Sequence, residues 1–546
     1  MVVDYSKKPP RGSMPQPDHI FISINGDANT SMTVTWRTSV DVESGYALCR
    51  KDGTSDYMRF DAETDVFESD IDVSNMFWAH MVGLEPATRY FYTVGNDEYR
   101  SEEFSFITED PNAESFKFIA ISDHQKGTPH HLPDYTKLNK FLKDVLKENP
   151  DTKFILTAGD NTDCGMHEVQ WNGAFEGLKG IIENIPYMME VGNHDTRGFK
   201  DYEKGIGRFY SEPAAFFCKQ FKGSYPYNGP DGWKTETYAF DYGNAHFSVI
   251  AVNGPEDVNE WMCKDLPTCG KIWKFGSYHF PIYYAGPELS NDDAYPMMRE
   301  GMEQLDILFS GHEHNFSRTF PMKNESMYDR PSQGTIHYEL ANSHFNPPGT
   351  ATVKKVWHAA YFPSAEDIAT VAIVEVFKDK VILTSKTNDG RILDQCIVDK
   401  ANDRILPYAC APYFRRPRVF FKGAQLGIGE RQNWAENKDG VWYSPLAIMF
   451  SSICAEVVKE KGKVTLGVFG KKATFFEGSD IAVTADGEEI KLPGVVYRAG
   501  DPERQELFIP VDAVRLCFDM KWNYAENNNF ISVETAKEAI PFTVQP

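Results

Sequence analysis

Five short segments of the chain place aspartate, asparagine or histidine directly after an apolar run. In chain order, these residues are Asp123 in ISDHQ, Asp160 in AGDNTD, Asn193, His194 and Asp195 in VGNHD, His279 in GSYHFP, and His312 and His314 in FSGHEH. One such residue alone predicts only a turn or a hydrogen-bonded structural histidine. Five segments in succession, each closing an apolar run, favour one shared site over separate turns.

Carboxylate, amide and imidazole side chains in this combination suit a pair of metal ions. Hydrolysis of a phosphate ester needs an attacking oxygen, neutralisation of charge on the phosphoryl group and a protonated leaving group. Two cations about 3.5–4 Å apart supply the first two, and one carboxylate has to bridge them. Mixed oxygen and nitrogen donors suit iron, manganese, zinc or magnesium, whereas a structural zinc site would be rich in cysteine.

The segments that carry these residues alternate with helical patterns. FKFIAISD, FILTAGD and YMMEVGNHD are apolar runs, and YTKLNKFLKDVLKEN between the first two has a helical pattern. Strands alternating with helices predict βαβ units and a largely parallel sheet, where ligands bind at the carboxyl ends of the strands. Hairpin-like strands return from Glu236 and between Asp367 and Val398. We therefore expect an α/β catalytic domain over residues 113–400.

The chain before this domain has a different pattern of apolar and turn-forming residues. After a Pro-rich tail at residues 1–17, short strands separated by Asn, Asp and Gly fill residues 18–110, at the spacing of a β-sandwich. The stretch from Leu84 to Tyr90, ahead of the alternating Tyr92 and Val94, is similar to the tyrosine corner of a fibronectin type III sandwich. We expect no chemistry in this part of the chain.

The chain after the catalytic domain contains an internal repeat. WYSPLAIMF at 442–450 matches FIPVDAVRL at 508–516, and a strand-like segment follows each copy. We expect a linker at 401–428, with Arg415, Arg416 and Arg418 as a solvated basic stretch or an anion site, and a small α+β repeat domain at 429–546. The repeat resembles the module named after the amino-terminal domain of copper amine oxidases, which implies an accessory or cell-surface attachment role. It shows no cluster of copper ligands.

Composition excludes several classes of protein. The chain has 546 residues and a net charge of −23, which disfavours a general nucleic-acid or membrane-surface binder. No apolar run is long enough to span a bilayer, and no signal peptide is evident at the start of this chain. The nine cysteines are scattered, and we expect most to be buried thiols, with Cys263 and Cys269 the pair to form in an oxidising compartment.

The five segments, in order, resemble those of the calcineurin-like metallophosphoesterases, and their detail is closest to the purple acid phosphatases. The matching stretches include YAFDYGNAHF, HFPIYYAG and LDILFSGHEHNFSRTFP, and a fibronectin-like domain in front is also that family's arrangement. The resemblance covers roughly residues 18–400. It implies a four-layer core in which two sheets pack face to face. Because both flanking modules resemble parts of exported proteins, we expect an extracellular or cell-surface location for a trimmed chain, with a cytoplasmic one as the alternative.

The resemblance also implies a role for each residue of the five segments. Asp123 and His314 would hold the first metal, Asp160 would bridge, and Asn193, His279 and His312 would hold the second metal. His194 would reach the phosphoryl group and protonate the leaving oxygen or stabilise its charge. Asp195 would either orient His194 or cap a helix.

Two positions depart from the family pattern. Asp163 stands where purple enzymes carry the tyrosine that gives their colour, so we expect no purple band and a divalent ion rather than ferric iron. Gln125 stands where the family has glycine or a ligating histidine. Gln125, Asp163 or water would complete the first metal site.

The sequence thus predicts a phosphoric ester hydrolase in which a metal-bound hydroxide attacks phosphorus and the substrate is a phosphorylated small molecule. An acid phosphatase-like phosphomonoesterase is the first interpretation. A phosphodiesterase or nucleotidase, or a catalytically weakened surface-binding protein, remain alternatives. His246 is interpreted as structural, and His130, His131, His344 and His358 as residues that could line the cleft. The sequence has no GxSxG elbow and no phosphate-binding P-loop.

Overall fold

The structure is a computed structural model with two compact units, which are described separately. It describes residues 12–126, 133–197, 213–286, 291, 294–346, 352, 354–362, 368–407, 417–421, 424–425, 434–453, 455–501, 504–525 and 530–535. One unit comprises Met1–Pro321, Arg330–Ala351 and Tyr361–Cys410, and the other comprises Met322–Asp329, Thr352–Ala360 and Ala411–Pro546. His130, His131, Arg415 and Arg416 lie outside the described residues, as do Cys410 and Cys454.

The first unit begins with a β-sandwich of two four-stranded antiparallel sheets. Its strands are β1 (Asp18–Ser23), β2 (Ser31–Ser39), β3 (Tyr46–Lys51), β4 (Met58–Asp61), β5 (Glu63–Glu68), β6 (Val73–Val82), β7 (Arg89–Gly95) and β8 (Phe104–Ile107), ordered β1-β2-β6-β5 and β4-β3-β7-β8. Trp36 and Phe77 stack inside it with ring centroids 5.3 Å apart. The Tyr90 hydroxyl accepts a hydrogen bond from the backbone N–H of Glu85 at 2.8 Å, which is the expected tyrosine corner.

The rest of the first unit is built on two mixed sheets. The strands and helices of this region are β9 (Ser115–Ile121), α1 (Thr136–Glu148), β10 (Thr152–Thr157), α2 (Glu168–Leu178), β11 (Tyr187–Met188), α3 (Ala215–Gln220), β12 (Tyr238–Tyr242), β13 (Ala245–Ile250), α4 (Pro255–Asp265), β14 (Trp273–Tyr278), α5 (Tyr295–Met302), β15 (Ile307–Ser310), β16 (Phe316–Lys323), β18 (Thr335–Leu340), β20 (Thr370–Phe377), β21 (Lys380–Thr387), β22 (Ile392–Asp399) and β23 (Arg404–Pro407). In chain order, β17 (Ser326–Met327) and most of β19 (His358–Phe362) belong to the second unit. The first sheet runs β11-β10-β9-β20-β21-β22-β23, and the second runs β12-β13-β14-β15-β18-β16. Strands β9, β10 and β11 are parallel, as are β13, β14, β15 and β18.

Aromatic rings join the two sheets face to face. Phe118 on β9 meets Phe247, Phe275 and Phe309 of the second sheet edge-on, with ring centroids 5.3, 5.6 and 5.9 Å away. Phe154 on β10 meets Phe247 in the same way at 5.2 Å. All five rings are buried, and edge-to-face pairs of this kind add to the free energy gained by burial alone. The expected face-to-face packing of two sheets is confirmed.

A buried ionic cluster joins the sandwich to the sheet domain behind it. Arg37 on β2 binds both carboxylate oxygens of Asp18, at 2.7 and 2.8 Å, and also contacts Glu168 at the start of α2. Its side chain is 1% exposed. The Tyr92 hydroxyl donates to the carbonyl of Glu183 at 2.6 Å. Because removing one partner would leave a buried charge unpaired, these contacts fix the sandwich on the sheet domain.

The second unit contains the repeat that the sequence predicts. Its elements include β24 (Arg418–Phe421), β25 (Ala424–Gln425), β26 (Glu436–Lys438), β27 (Val441–Ser444), α6 (Leu446–Ser452), β28 (Glu456–Glu460), β29 (Lys463–Val468), β30 (Lys471–Phe476), β31 (Ile481–Thr484), β32 (Glu489–Lys491), β33 (Tyr497–Asp501), β34 (Arg504–Pro510), α7 (Ala513–Phe518), β35 (Met520–Ala525) and β36 (Phe530–Thr535). Each copy runs strand, proline, short helix and two antiparallel strands, and β27 pairs with β34. Its likeness to the copper amine oxidase module and its attachment role stay predictions.

Two further expectations concern cysteine pairing and membrane spanning. Cys263 and Cys269 are free thiols, so the expected pair is not formed. The reason is that they face different partners, the Gln304 amide at 3.6 Å and the Leu266 carbonyl at 3.3 Å. Among the described residues, no helix combines the length and apolar character needed to cross a bilayer.

Candidate metal centre

The six residues predicted as metal ligands follow the carboxyl ends of five strands. Asp123, Asp160 and Asn193 lie just beyond β9, β10 and β11 of the first sheet, and His279, His312 and His314 lie just beyond β14 and β15 of the second sheet. Parallel pairing aligns the ends of neighbouring strands, and packing of the two sheets brings the two edges together. The site therefore draws half of its donors from each sheet.

Four of these side chains surround one point. The Asn193 Oδ1 lies 2.9 Å from His279 Nε2 and 3.2 Å from His312 Nδ1, and His279 Nε2 is 3.1 Å from Asp160 Oδ2. One oxygen or nitrogen from each of Asp160, His279 and His312 lies within 4.8 Å of the others, a spacing that could hold a metal ion. This is the set that the sequence assigns to the second metal, together with the predicted bridge.

Asp123 and His314 lie beside this group. His314 Nε2 is 3.4 Å from Asp123 Oδ1, and the backbone N–H of His312 donates to both oxygens of Asp123, at 3.0 and 2.9 Å. The Asp123 N–H bonds to the carbonyl of Gly159, and the Gln125 N–H bonds to the carbonyl of Asp160. The loops after β9 and β10 are thus fastened together, with the two carboxylates on neighbouring loops.

Four of the six predicted ligands have a left-handed backbone. The φ angles are 48° at Asp123, 53° at Asp160, 75° at His312 and 60° at His314. Such conformations cost of order 1 kcal/mol or more in residues other than glycine, and they persist only where the surrounding structure enforces them. Their concentration at this edge marks a place where the backbone is strained so that side chains can converge.

Two glycines allow the loops to approach each other. A Cβ on Gly192 would lie 2.3 Å from both the backbone nitrogen and Oδ1 of Asp160, and one on Gly311 would lie 2.2 Å from Asp123 Oδ2. Contacts under 3.0 Å essentially never occur for real Cβ atoms. The glycines of the VGNHD and SGHEH segments are therefore required because side chains of the site occupy the space a Cβ would need.

The buried charges of the site strongly affect each other's protonation. Burial raises the pKa of Asp160, but the imidazoles of His194 and His279 outweigh it, so its pKa is lowered. For His279, the carboxylate of Asp160 outweighs burial and raises the pKa to about 10. Burial and the neighbouring His279 lower the pKa of His312 to about 3. Without a cation, a proton on His279 neutralises part of the carboxylate charge, so metal binding would displace that proton.

His194 is held at the edge of the same group by Asp163. Its Nδ1 lies 3.1 Å from both Oδ1 and the carbonyl oxygen of Asp163, and its backbone N–H donates to Asp160 Oδ1 at 2.8 Å. Its Nε2 lies 3.7 Å from Asp160 Oδ2. Asp163 therefore lies beside Nδ1, and Nε2 faces the centre.

Known proteins match both parts of the first unit. Residues 17–108 match the purple acid phosphatase N-terminal domain, and residues 116–316 match the calcineurin-like phosphoesterase family. The first unit thus combines a purple acid phosphatase N-terminal domain with a calcineurin-like phosphoesterase domain.

The individual relatives of this chain are distant. It is 25% identical over 307 residues to probable inactive purple acid phosphatase 24 of Arabidopsis thaliana, covering 48% of each chain. It is 23% identical over 255 residues to purple acid phosphatase 21 of the same plant, covering 44% of this chain and 53% of the relative. The structure of the yellow lupin (Lupinus luteus) purple acid phosphatase PPD1 matches with a TM-score of 0.57 at 15% identity, over 70% of this chain and 74% of that one, which shows the shared fold. The chain spans about half the length of these curated relatives.

Members of the calcineurin-like phosphoesterase family use two metal ions, and Asp160, His279 and His312 offer donors spaced to hold one such ion. The Oε1 of Gln125 is buried with no hydrogen-bond partner, while its Nε2 is 3.5 Å from Asp160 Oδ2. Asp163 also has a buried oxygen, Oδ2, without a hydrogen-bond partner. Unpartnered buried oxygens are costly, and a cation is one way to satisfy them. Gln125 and Asp163 therefore each offer an oxygen to the first metal.

Both roles expected for Asp195 are wrong. Its carboxylate does not orient His194 and does not cap a helix. Instead it accepts from the backbone N–H groups of Gly192, Asn161 and Thr162, at 3.0, 3.1 and 2.9 Å, and from the side chains of the latter two. Burial is the main reason that its pKa rises to about 6. Asp195 therefore ties the loop after β10 to the loop that carries Asn193 and His194.

The other histidines have mostly structural contacts. His344 is buried, and its Nδ1 lies 3.1 Å from the carbonyl of His124. In the second unit, His358 Nδ1 lies 3.2 Å from the backbone nitrogen of Lys355, and its Nε2 lies 3.0 Å from the indole nitrogen of Trp357. His246 lies between Asp241 and Asp265, 2.8 Å from each, in agreement with its structural interpretation.

Sequence reasoning missed Arg197, which contacts His194. Its terminal nitrogen Nη2 lies 2.5 Å from His194 Nδ1 and 3.0 Å from Nε2, and its Nε donates to the Asp163 carbonyl at 3.2 Å. The only signal in the sequence was its position two residues after Asp195, in GNHDTR. Its contact depends on the short 3₁₀ turn His194–Thr196, which the segment pattern did not predict.

Proposed function

We propose that this protein hydrolyses phosphate esters at the site just described, with two metal ions bound, and that its substrates are phosphorylated small molecules. The observation that carries the proposal is the convergence of Asp160, Asn193, His279 and His312 within hydrogen-bonding distances, from loops of two different sheets. Carboxylates and imidazoles buried together have little stabilising role by themselves, because each has lost its hydration. Cations between them would offset that cost.

Each side chain of the site has a part in this function. Asn193, His279, His312 and Asp160 would hold one metal, and Asp123, His314, Gln125 and the same Asp160 would hold the other. The bound ions would supply a nucleophilic oxygen at neutral pH and would withdraw charge from the phosphoryl group.

His194 would act on the leaving group. Asp163 Oδ1 lies 3.1 Å from Nδ1, and Nε2 points toward the centre, 3.7 Å from Asp160 Oδ2. When Nε2 also carries a proton, it can pass that proton to the departing oxygen, and the Asp163 carboxylate balances the charge of the ring. Asp163, in the place of the tyrosine of the purple enzymes, thus serves as a positioning residue.

Activity itself is a proposal, because several of the similar plant proteins are named probable inactive. The decisive experiment compares wild type with Asn193→Ala. We expect wild type to bind two metal ions per chain and to hydrolyse p-nitrophenyl phosphate. The variant should lose turnover and one metal, with an unchanged melting temperature.

Asn139→Ala is the matched control, since the side-chain amide of Asn139 donates to the carbonyls of Gly177 and Lys179 and to no described residue of the site. It should keep both metals and full turnover. Unchanged phosphatase activity in Asn193→Ala would refute the assignment. A purple absorption band, or one tightly held ferric ion per chain, would contradict the expectation of divalent metals.

A further inference from the structure

Arg197 occupies a position that the roles proposed so far do not use. It follows the 3₁₀ turn His194–Thr196, and its side chain is 16% exposed, against 20% for His194. Its backbone N–H bonds to the carbonyl of His194, and its carbonyl accepts from the N–H of Met166. The guanidinium is therefore held at the mouth of the site from a fixed backbone.

The guanidinium lies against both ring nitrogens of His194. Arginine has only donors, and its Nη2 is 2.5 Å from Nδ1 and 3.0 Å from Nε2 of the imidazole. Of these two nitrogens, Nε2 faces Asp160 and would serve the leaving oxygen. Arg197 therefore lies where the ester would be bound.

The charge around this position makes the contact significant. Asp160 and Asp163 lie close by, within a chain of net charge −23, so an incoming phosphate meets repulsion unless cations offset it. A guanidinium binds phosphoryl oxygens through two parallel, charge-assisted hydrogen bonds, which are stronger than a bond to a neutral imidazole. A phosphate group in the site would therefore take over the Nη2 donor that now lies against the His194 ring.

We propose that Arg197 is a substrate-binding residue that contacts the non-bridging oxygens of the phosphoryl group and makes the site selective for phosphomonoesters over phosphodiesters. The selectivity follows from charge and space. A monoester is a dianion with three non-bridging oxygens, whereas a diester carries one charge and has an organic group in the place of one oxygen. The inference rests on the proposed function, because it concerns the substrate of that same site.

The test compares Arg197→Met and Arg197→Lys with wild type on p-nitrophenyl phosphate and bis-p-nitrophenyl phosphate. We expect Arg197→Met to lower kcat/KM for the monoester about 10- to 100-fold, mainly through KM, and that for the diester less than about threefold. Arg197→Lys keeps the positive charge but cannot donate two parallel hydrogen bonds. Its kcat/KM for the monoester should lie between those of wild type and Arg197→Met. Arg391→Met, which removes an arginine paired with Asp389, is the control and should leave both substrates unaffected.

A second measurement needs no turnover. Calorimetry with inorganic phosphate, at equal metal content, should show affinity for wild type that falls about tenfold or more in Arg197→Met. Equal losses for both esters, or an unchanged affinity for phosphate, would overturn the role of Arg197 and leave it a purely structural neighbour of His194. If wild type hydrolyses neither ester but still binds phosphate through Arg197, the proposed hydrolysis fails while this inference stands.

Discussion

Replacement of Gly311 by alanine tests whether the loop packing described above holds the centre together. The backbone at Gly311 needs no left-handed conformation, so the effect of the change is steric. The new Cβ would lie 1.9 Å from Ser122 Oγ and 2.2 Å from Asp123 Oδ2, whereas real Cβ contacts stay above 3.0 Å. One of the two loops must therefore move by about 1 Å, and the carboxylate of Asp123 with it.

The size of the effect follows from that displacement. A shift of about 1 Å in a reacting group costs on the order of 100-fold in rate, equivalent to about 2.7 kcal/mol of transition-state stabilisation. We therefore expect Gly311→Ala to lower kcat/KM for p-nitrophenyl phosphate about 100-fold and to lose the metal held by Asp123 and His314. Steady-state kinetics and elemental analysis of the purified protein measure the two effects.

Gly467→Ala is a suitable comparison. That glycine also has an ordinary backbone, and its Cβ would lie no closer than 3.1 Å to any atom beyond its chain neighbours, the nearest being Oε2 and Cβ of Glu456, at 3.1 and 3.3 Å. We expect wild-type metal content and rate in this variant. Two metals and full activity in Gly311→Ala would show that the loops after β9 and β15 are not packed as described.

Three further predictions concern single side chains. Asp163→Asn should slow hydrolysis of an alkyl phosphate about tenfold or more while slowing that of p-nitrophenyl phosphate less, because only the poor leaving group needs a proton from His194; equal slowing would contradict this role. Gln125→Ala should leave fewer than two metals per chain by elemental analysis, and Gln125→His should restore the second; full occupancy in both variants would exclude Gln125 as a ligand. The hydrogen bonds and charges of Asp241 and Asp265 outweigh burial and raise the pKa of His246 to about 9, above its value of 6.5 in the unfolded chain. The contacts of His246 with the two carboxylates therefore contribute fully to the free energy of unfolding below pH 6.5. This contribution is lost as the pH rises through 9. By denaturant titration, wild type should thus lose up to about 3 kcal/mol between pH 6 and pH 10 that His246→Gln does not lose.

The positions at which strands end were the feature of the structure most accurately predicted from the sequence. Apolar runs that stop at Asp123, Asp160 and His279 also stop as strands, because a parallel strand buried on both faces must be apolar until it reaches the edge. The tyrosine corner at Tyr90 and the two repeat copies were similarly predictable, since each is defined by local spacing.

Contacts between distant loops were not predictable. Asp195 follows His194 in the chain, yet its carboxylate binds loop residues more than thirty positions earlier, such as Asn161. Asp163 had been considered as a metal ligand, and its hydrogen bond to His194 depends on the exact path of the loop after β10. Arg197 had no pattern to distinguish it from any surface arginine. Side-chain contacts of this kind depend on how distant loops pack together, and no local pattern of residues in the sequence indicates that packing.

The aromatic rings between the sheets have a consequence for the chemistry at their edge. The contacts of Phe118 with rings of the second sheet fix how the two sheets are aligned on each other. Each sheet carries half of the predicted metal-binding side chains. A slip of an ångström in this remote core would separate Asn193 from His279 before it exposed any apolar surface to water. A substitution in this core would then first weaken the binding of metal ions, while the circular dichroism spectrum would still be that of a folded protein.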